Sequence, residues 1–225
     1  MELKNVVPWG RSLAEYRSMF SLTDSDLKKK ILGCGDGPAS FNAEMTAAAG
    51  QVVSVDPVYA FSGFQIRSRI AEVYPTIMEQ LARHRDDYVW DHFSGVEHAG
   101  RTRMQAMERF LEDYEAGRQQ GRYVEAGLPA LPFENQAFEL ALCSHFLFLY
   151  SAQVNLETHV ASVRELCRVA REVRIYPLVS LEGTESPHLG PVVERLNAEG
   201  IAARREAVHY RFQKGATDML VLYKA

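Results

Sequence analysis

The chain reads Ile31-Leu32-Gly33-Cys34-Gly35-Asp36-Gly37-Pro38-Ala39-Ser40-Phe41 and, after the segment between, Gln51-Val52-Val53-Ser54-Val55-Asp56-Pro57. This is the pattern of an apolar strand, a glycine turn, a helix and a second, β-branched strand that ends in a carboxylate. Gly33, Gly35 and Gly37 remove side chains that would hold a ligand off the main chain, and their freedom at positive φ permits a tight strand-to-helix turn. Pro38 suits a first helical turn, where its missing N–H is no loss. The spacing predicts a helix from Pro38 to Ala49, with Phe41, Met45 and Ala48 on one face and Gly50 as its stop. Such a helix turns unpaired N–H groups and a positive dipole end toward the turn. Asp56 follows Gly37 by 19 residues, close to the spacing at which the acid ending the second strand reaches ribose hydroxyls. The stretch therefore reads as half of a βαβ unit that holds a ribose-bearing ligand.

Pro38 narrows the choice of ligand. A dinucleotide fingerprint begun at Gly33 requires glycine at position 38 for close helix packing and pyrophosphate approach, and proline stands there. A nicotinamide-dependent oxidoreductase is thus the alternative reading.

The spacing Gly33-x-Gly35-x-Gly37 with Asp56 downstream resembles motif I and the ribose acid of class I S-adenosylmethionine-dependent methyltransferases. Leu131-Pro132-Phe133-Glu134-Asn135-Gln136-Ala137-Phe138-Glu139-Leu140-Ala141-Leu142 resembles the L-P-F…F-D-x-A segment that leads into that family's fourth strand. With its Trp9-Gly10-Arg11 opening and its Ser144-His145-Phe146-Leu147-Phe148-Leu149-Tyr150 block, the whole chain also resembles a bacterial methyltransferase-like group. The resemblance implies an α/β, Rossmann-like sheet, mostly parallel with an antiparallel last strand, and S-adenosylmethionine as cofactor. It implies cofactor contacts from Gly33, Cys34, Gly35, Asp36, Gly37, Asp56, Pro57, Leu131 and Ser144. Two positions depart from the family's pattern. Ile31 stands where an acid often precedes the glycines, and the acid beside the adenine falls on or near Gly127, with Glu125 as the nearest stand-in. These departures keep open a third reading, a non-catalytic S-adenosylmethionine-binding regulatory protein.

At 225 residues and 47% hydrophobic content, residues 1–225 fit one domain with an elaboration. The net charge is −4 and the basic residues are dispersed, so the chain lacks the phosphate-tracking surface of a nucleic-acid binder and a small-molecule partner is expected. Cys34, Cys143 and Cys167 form no C-x-x-C pair and are odd in number, which supports neither a disulfide framework nor a metal site and fits a reducing cytoplasm. The opening Met1 to Trp9 lacks a long apolar core, and no run reaches the ~18 apolar residues of a membrane span. Neither export nor membrane insertion is expected.

Ser12 and Glu15 form a capping-box pattern ahead of Leu13, Tyr16 and Phe20, and Thr23 to Asp26 can cap a brief turn. Residues 64–122 exceed the single helix that a minimal fold places between second and third strands. Ile66, Ile70, Val73, Ile77 and Leu81 mark one long helix bent at Pro75, and Met104, Met107, Leu111 and Tyr114 mark a second. The insertion falls at the ligand-binding edge and reads as a helical cap over the acceptor pocket. Tyr123-Val124 and Phe138 to Cys143 are expected as third and fourth strands, Leu156 to Ala170 as a helix, Glu172 to Val179 as the fifth strand and Gly190 to Ala198 as a last helix. Ala207 to Phe212 and Asp218 to Tyr223 alternate like two strands joined at Gly215.

Methyl transfer from a sulfonium is an in-line displacement, so a protein chiefly positions the reactants and excludes water. A base matters where the acceptor carries a proton. His145, just past the fourth strand and with an ordinary imidazole pKa of ~6.5, is the candidate base, with Tyr150 and His188 as weaker ones. Residues 144–147 lack the Asn-Pro-Pro-Tyr or Asp-Pro-Pro-Tyr sequence of amide and exocyclic-amine methyltransferases. Trp9, Arg11 and Tyr16 precede the sheet, where the resemblance implies a helix that closes over donor or acceptor, with simple packing of that helix as the favoured reading. In the cap, with Trp90 and His92, the pair Arg101 and Arg103 reads as a carboxylate or phosphate clamp or, more commonly for exposed arginines, as solvated charge. The expected activity is S-adenosylmethionine-dependent methyl transfer to a small molecule.

Overall fold

A computed structural model describes residues 8–224, the side chain of Lys224 excepted, so the leader reading of Met1 to Val7 lies outside the described residues. Seven strands form one sheet: β1 (Lys30–Cys34), β2 (Gln51–Val55), β3 (Tyr123–Val124), β4 (Phe138–Ser144), β5 (Ala170–Tyr176), β6 (Ile201–Ala207) and β7 (Asp218–Lys224). Their order is β3-β2-β1-β4-β5-β7-β6. The first five run parallel, and β7 pairs antiparallel with both β5 and β6. The mixed Rossmann-like sheet expected from the family resemblance is therefore present. Chain order reverses between β1 and β4, where Cys34 stands level with Val55 on one side and Cys143 on the other. In open α/β sheets the crevice outside the strand ends at such a reversal is where ligands bind.

Both faces of the sheet are covered, which explains why β4 reads as a nearly continuous apolar run. Leu32, Cys34, Val55 and Cys143 pack beneath α5 (Leu156–Val169) and α6 (Leu189–Ala198) through Val160, Val163, Leu166, Val192 and Leu196. Ile31, Val52, Leu140 and Leu142 pack on the opposite face against α1 (Leu13–Met19) and α2 (Phe41–Ala47) through Tyr16, Met19, Phe41 and Met45. Neighbouring residues 31 and 32 thus serve opposite cores, as a pleated strand requires. The insertion forms α3 (Gly63–Arg83), with Pro75 inside it, and α4 (Val96–Gln119). The Ser12–Glu15 capping box closes as the sequence suggests, and α3 carries a second between Ser62 and Gln65. Among the described residues no helix is long and apolar enough to cross a membrane.

Three expectations need correction. The helix after β1, α2, begins at Phe41 rather than Pro38 and ends at Ala47. Gly37 at φ 51° turns the chain aside, and the Ser40 N–H is spent on the carbonyl of Arg11 at 3.0 Å. The resulting helix has seven residues. The fifth strand begins at Ala170 and ends at Tyr176, two to three residues earlier than its apolar run suggests. The sixth strand is Ile201–Ala207, not 207–212. Val208, Tyr210 and Phe212 alternate because they bury into the second core beside Phe93, with Tyr88 and Trp90 packed against it, while the more exposed edge strand precedes them.

Candidate active site

Gly35 and Gly37 stand at φ 70° and 51° in the turn after β1, and the Gly35 N–H returns to the carbonyl of Val55 at 3.0 Å. Their conformation requires glycine. Gly33 has a different reason to be glycine. A Cβ there would fall 2.6 Å from Cγ of Asp36, so the space belongs to the protein's own carboxylate. Asp36 accepts the Tyr16 hydroxyl at 2.7 Å and the Ser54 hydroxyl at 2.6 Å. Burial pushes its carboxyl up to about 7, aided by the charge of Asp56 and opposed by those two hydrogen bonds.

Asp56 ends β2 and accepts the backbone N–H of Gly37 at 2.9 Å and of Val58 at 2.8 Å. Burial raises its pKa, while the two backbone donors oppose the rise. A carboxylate offers about four lone-pair positions, so the two backbone bonds leave acceptor capacity for a pair of ligand hydroxyls. Asp56 also borders two adjoining cavities. The larger, about 460 Å³, lies among Val55, Pro57, Val58, Ala126, Leu128 and Phe146. Such an apolar slot with one fixed carboxylate matches the form of a nucleoside site.

The smaller cavity, about 120 Å³, lies on the other side of Gly35, Gly37 and His145. Its walls include Trp9, Tyr16, Tyr88, Tyr150 and Phe212, and Ile77 and Leu81 bring α3 over it. The inserted helix therefore does border the second pocket. Ser144 at the end of β4 contacts the His145 ring, Oγ to Nδ1 at 3.0 Å. His145 sits at φ 51°, a conformation that favours glycine or asparagine, held by its N–H bond to the Tyr176 carbonyl at 2.7 Å. Burial, then the charges of Arg11 and Arg103, hold its pKa well below the ordinary imidazole value. The ring is neutral at pH 7 and a weak proton acceptor, unlike the unperturbed histidine assumed from sequence.

Arg103 is fully buried on α4, where it pairs with Glu15 of α1 and donates to the Tyr210 hydroxyl at 2.9 Å. The same hydroxyl donates to Glu15 at 2.9 Å. Burial acts to raise the Glu15 pKa, but Arg103 and Arg11 outweigh it and hold the carboxylate charged. Arg103 was read as a solvated charge, and that reading fails. Its register with Val96, Ala99, Ala106, Met107 and Phe110 on the buried helix face was the available signal. Arg11 borders the smaller cavity, donates through Nη1 to the Trp9 carbonyl at 3.1 Å, and has a shielded Nε with no partner.

Of the expected cofactor contacts, Cys34, Gly35, Gly37, Asp56 and Pro57 border the larger cavity, and Asp36 and Ser144 border the smaller one with His145 and Tyr150. Leu131 lies in the core, its N–H on Glu165 at 2.7 Å, and Gly33 faces Asp36, and neither borders either of these two cavities. Glu125 is exposed and outside the lining, whereas Gly127 is within it. His188 packs on His159 and contacts the Ser151 carbonyl, also away from the cavities. Ala126, Leu128 and Phe146 were missed, because small and apolar residues carry no chemical signature in a sequence.

No family model matches the chain. The chain is 30% identical over 223 residues to the uncharacterized protein MJ0045 of Methanocaldococcus jannaschii, covering 99% of this chain and 98% of that protein. Among solved structures it is similar to magnesium protoporphyrin IX methyltransferase (ChlM) from Synechocystis PCC 6803 with bound SAM, at 12% identity and a TM-score of 0.49, over 95% of this chain and 78% of the other. It is similar also to the PH0226 protein of Pyrococcus horikoshii OT3, at 12% identity and a TM-score of 0.47, over 93% and 91% of the two chains. The strand order is that of the class I methyltransferase sheet. The chain belongs to the family of the archaeal protein MJ0045, built on the class I methyltransferase fold.

Proposed function

We propose that this protein transfers a methyl group from S-adenosylmethionine to a small-molecule acceptor. The observation that carries the reading is Asp56, fixed by Gly37 and Val58 at the mouth of an apolar slot where the strand order reverses. Asp56 would hold the ribose, the walls at Val55, Pro57, Val58 and Leu128 the adenine, and the bare main chain of Gly35 and Gly37 the amino-acid end. The cofactor supplies an electrophilic methyl on a sulfonium. The protein's task is to hold donor carbon and acceptor atom at ~3 to 3.5 Å in line and to exclude water. Gly35, Gly37, Asp56 and His145 border both cavities and so mark where the reactants would meet. His145, being neutral, suits hydrogen bonding to an acceptor better than strong base catalysis.

A non-catalytic binder would be expected to have its acceptor side filled. The cavity between α3 and Tyr150 speaks against that alternative. The test is incubation with methyl-labelled S-adenosylmethionine and a cell metabolite extract, followed by a search for labelled small molecules. Label transferred by the wild type and not by Asp56→Ala supports the reading. Donor binding without any transfer favours the non-catalytic one.

A further inference from the structure

The smaller cavity is bordered by a guanidinium, that of Arg11, that makes no direct contact with a carboxylate among the described residues. Two arginines, Arg11 and Arg103, lie near Glu15, and Arg103 takes that carboxylate together with Tyr210. Arg11 forms no ion pair among the described residues. Its recorded side-chain bond goes to the carbonyl of Trp9, and its Nε is shielded from solvent with no acceptor. The two acids bordering the same cavity are engaged elsewhere: Asp36 with Tyr16 and Ser54, Asp56 with Gly37 and Val58. Shielding a guanidinium nitrogen without a partner is unfavourable, and a forked guanidinium is shaped for a planar two-oxygen anion. The surrounding walls are aromatic, from Trp9, Tyr16, Tyr88 and Phe212.

We propose that the smaller cavity is a carboxylate-binding site whose recognition group is Arg11. In the methyltransferase reading, on which this rests, the carboxylate comes either from the acceptor, which is then an anionic and largely planar small molecule, or from the amino-acid end of the donor. Burial and, after it, the charge of Arg11 depress the pKa of His145, so an anion seated on Arg11 would relieve the smaller part of that depression.

Calorimetry on the 225-residue chain separates these outcomes. S-adenosylhomocysteine and methylthioadenosine, which lacks the carboxylate, are titrated into the wild type, Arg11→Gln and Arg11→Lys. Benzoate and its neutral analogue benzamide are titrated into each protein with and without saturating S-adenosylhomocysteine. A loss of about tenfold or more in S-adenosylhomocysteine affinity on Arg11→Gln, with methylthioadenosine unchanged, assigns the donor's carboxylate. Unchanged S-adenosylhomocysteine affinity, with benzoate binding weakened to a similar degree and benzamide indifferent, assigns the acceptor's. In either case Arg11→Lys should recover only part of the loss, because it restores charge without the fork. Unchanged affinity for both carboxylates in a folded Arg11→Gln variant overturns the site. If neither nucleoside binds the wild type, the donor reading fails, and benzoate with the ligand-free protein still decides the anion site.

Discussion

The carboxylate of Asp56 accepts the backbone N–H of Gly37 at 2.9 Å, tying the end of β2 to the glycine turn after β1. One side chain thus shapes the turn and faces both cavities. Asp56→Ala should weaken S-adenosylhomocysteine binding by about 1–3 kcal/mol, the scale of losing hydrogen bonds to a charged group. Calorimetry reads this directly, and unchanged affinity removes Asp56 from the site.

Gly33 is reserved for the carboxylate of Asp36. Gly33→Ala should destabilise the fold by about 1–3 kcal/mol through overpacking. In an Asp36→Ala background the same change should lose much of its effect, because the obstructing group is gone. Chemical denaturation of the four proteins measures the coupling, and strict additivity would mean that the two residues do not compete for one space.

His145 combines a left-handed backbone with a depressed pKa. His145→Ala should be less stable than His145→Gly by about 1 kcal/mol, the penalty of a Cβ at positive φ. His145→Ala should also slow transfer while sparing donor binding; an equal loss of both would reassign the residue to structure. Below pH ~6.5 the unfolded chain takes up a proton that folded His145 refuses, so stability falls as pH falls. Thermal unfolding between pH 7.5 and 5.5 (about one unit either side of that value) should therefore decline more steeply for the wild type than for His145→Asn, which tolerates the conformation without titrating.

Arg103 and Glu15 are buried together between α4 and α1. Breaking the pair with Glu15→Gln should destabilise by about 3–5 kcal/mol, because the buried Arg103 loses its carboxylate, and Arg103→Met should cost less because Arg11 remains near Glu15. The combined variant should recover part of that loss. Denaturation midpoints test this, and single-variant losses under about 1 kcal/mol would indicate a solvated pair.

Residues governed by local geometry were legible in the chain. Ser12 and Glu15 close their capping box, Gly35 and Gly37 adopt positive φ, and Gln51–Val55 and Tyr123–Val124 form strands at the expected places. What depended on long-range contact was not. Arg103 is buried because Glu15 and Tyr210, distant in sequence, meet it. Residues 208–212 alternate like a strand because the core on the α1 and α2 face of the sheet imposes the same period on them. Pro38 misled because helix onset was set by Gly37 and by the tether from Ser40 to Arg11, which no propensity encodes. The depressed pKa of His145 likewise arises from burial and from Arg11 and Arg103, which the topology brings near.

We propose above all that the glycine turn and Asp56 receive the adenosyl group of S-adenosylmethionine. A thermal-shift titration of the wild-type protein with S-adenosylhomocysteine, run beside NAD, tests it most directly. A saturable rise in Tm with S-adenosylhomocysteine is expected, absent with NAD and diminished in Asp56→Ala. A rise with NAD alone, or none with either nucleotide, would contradict it.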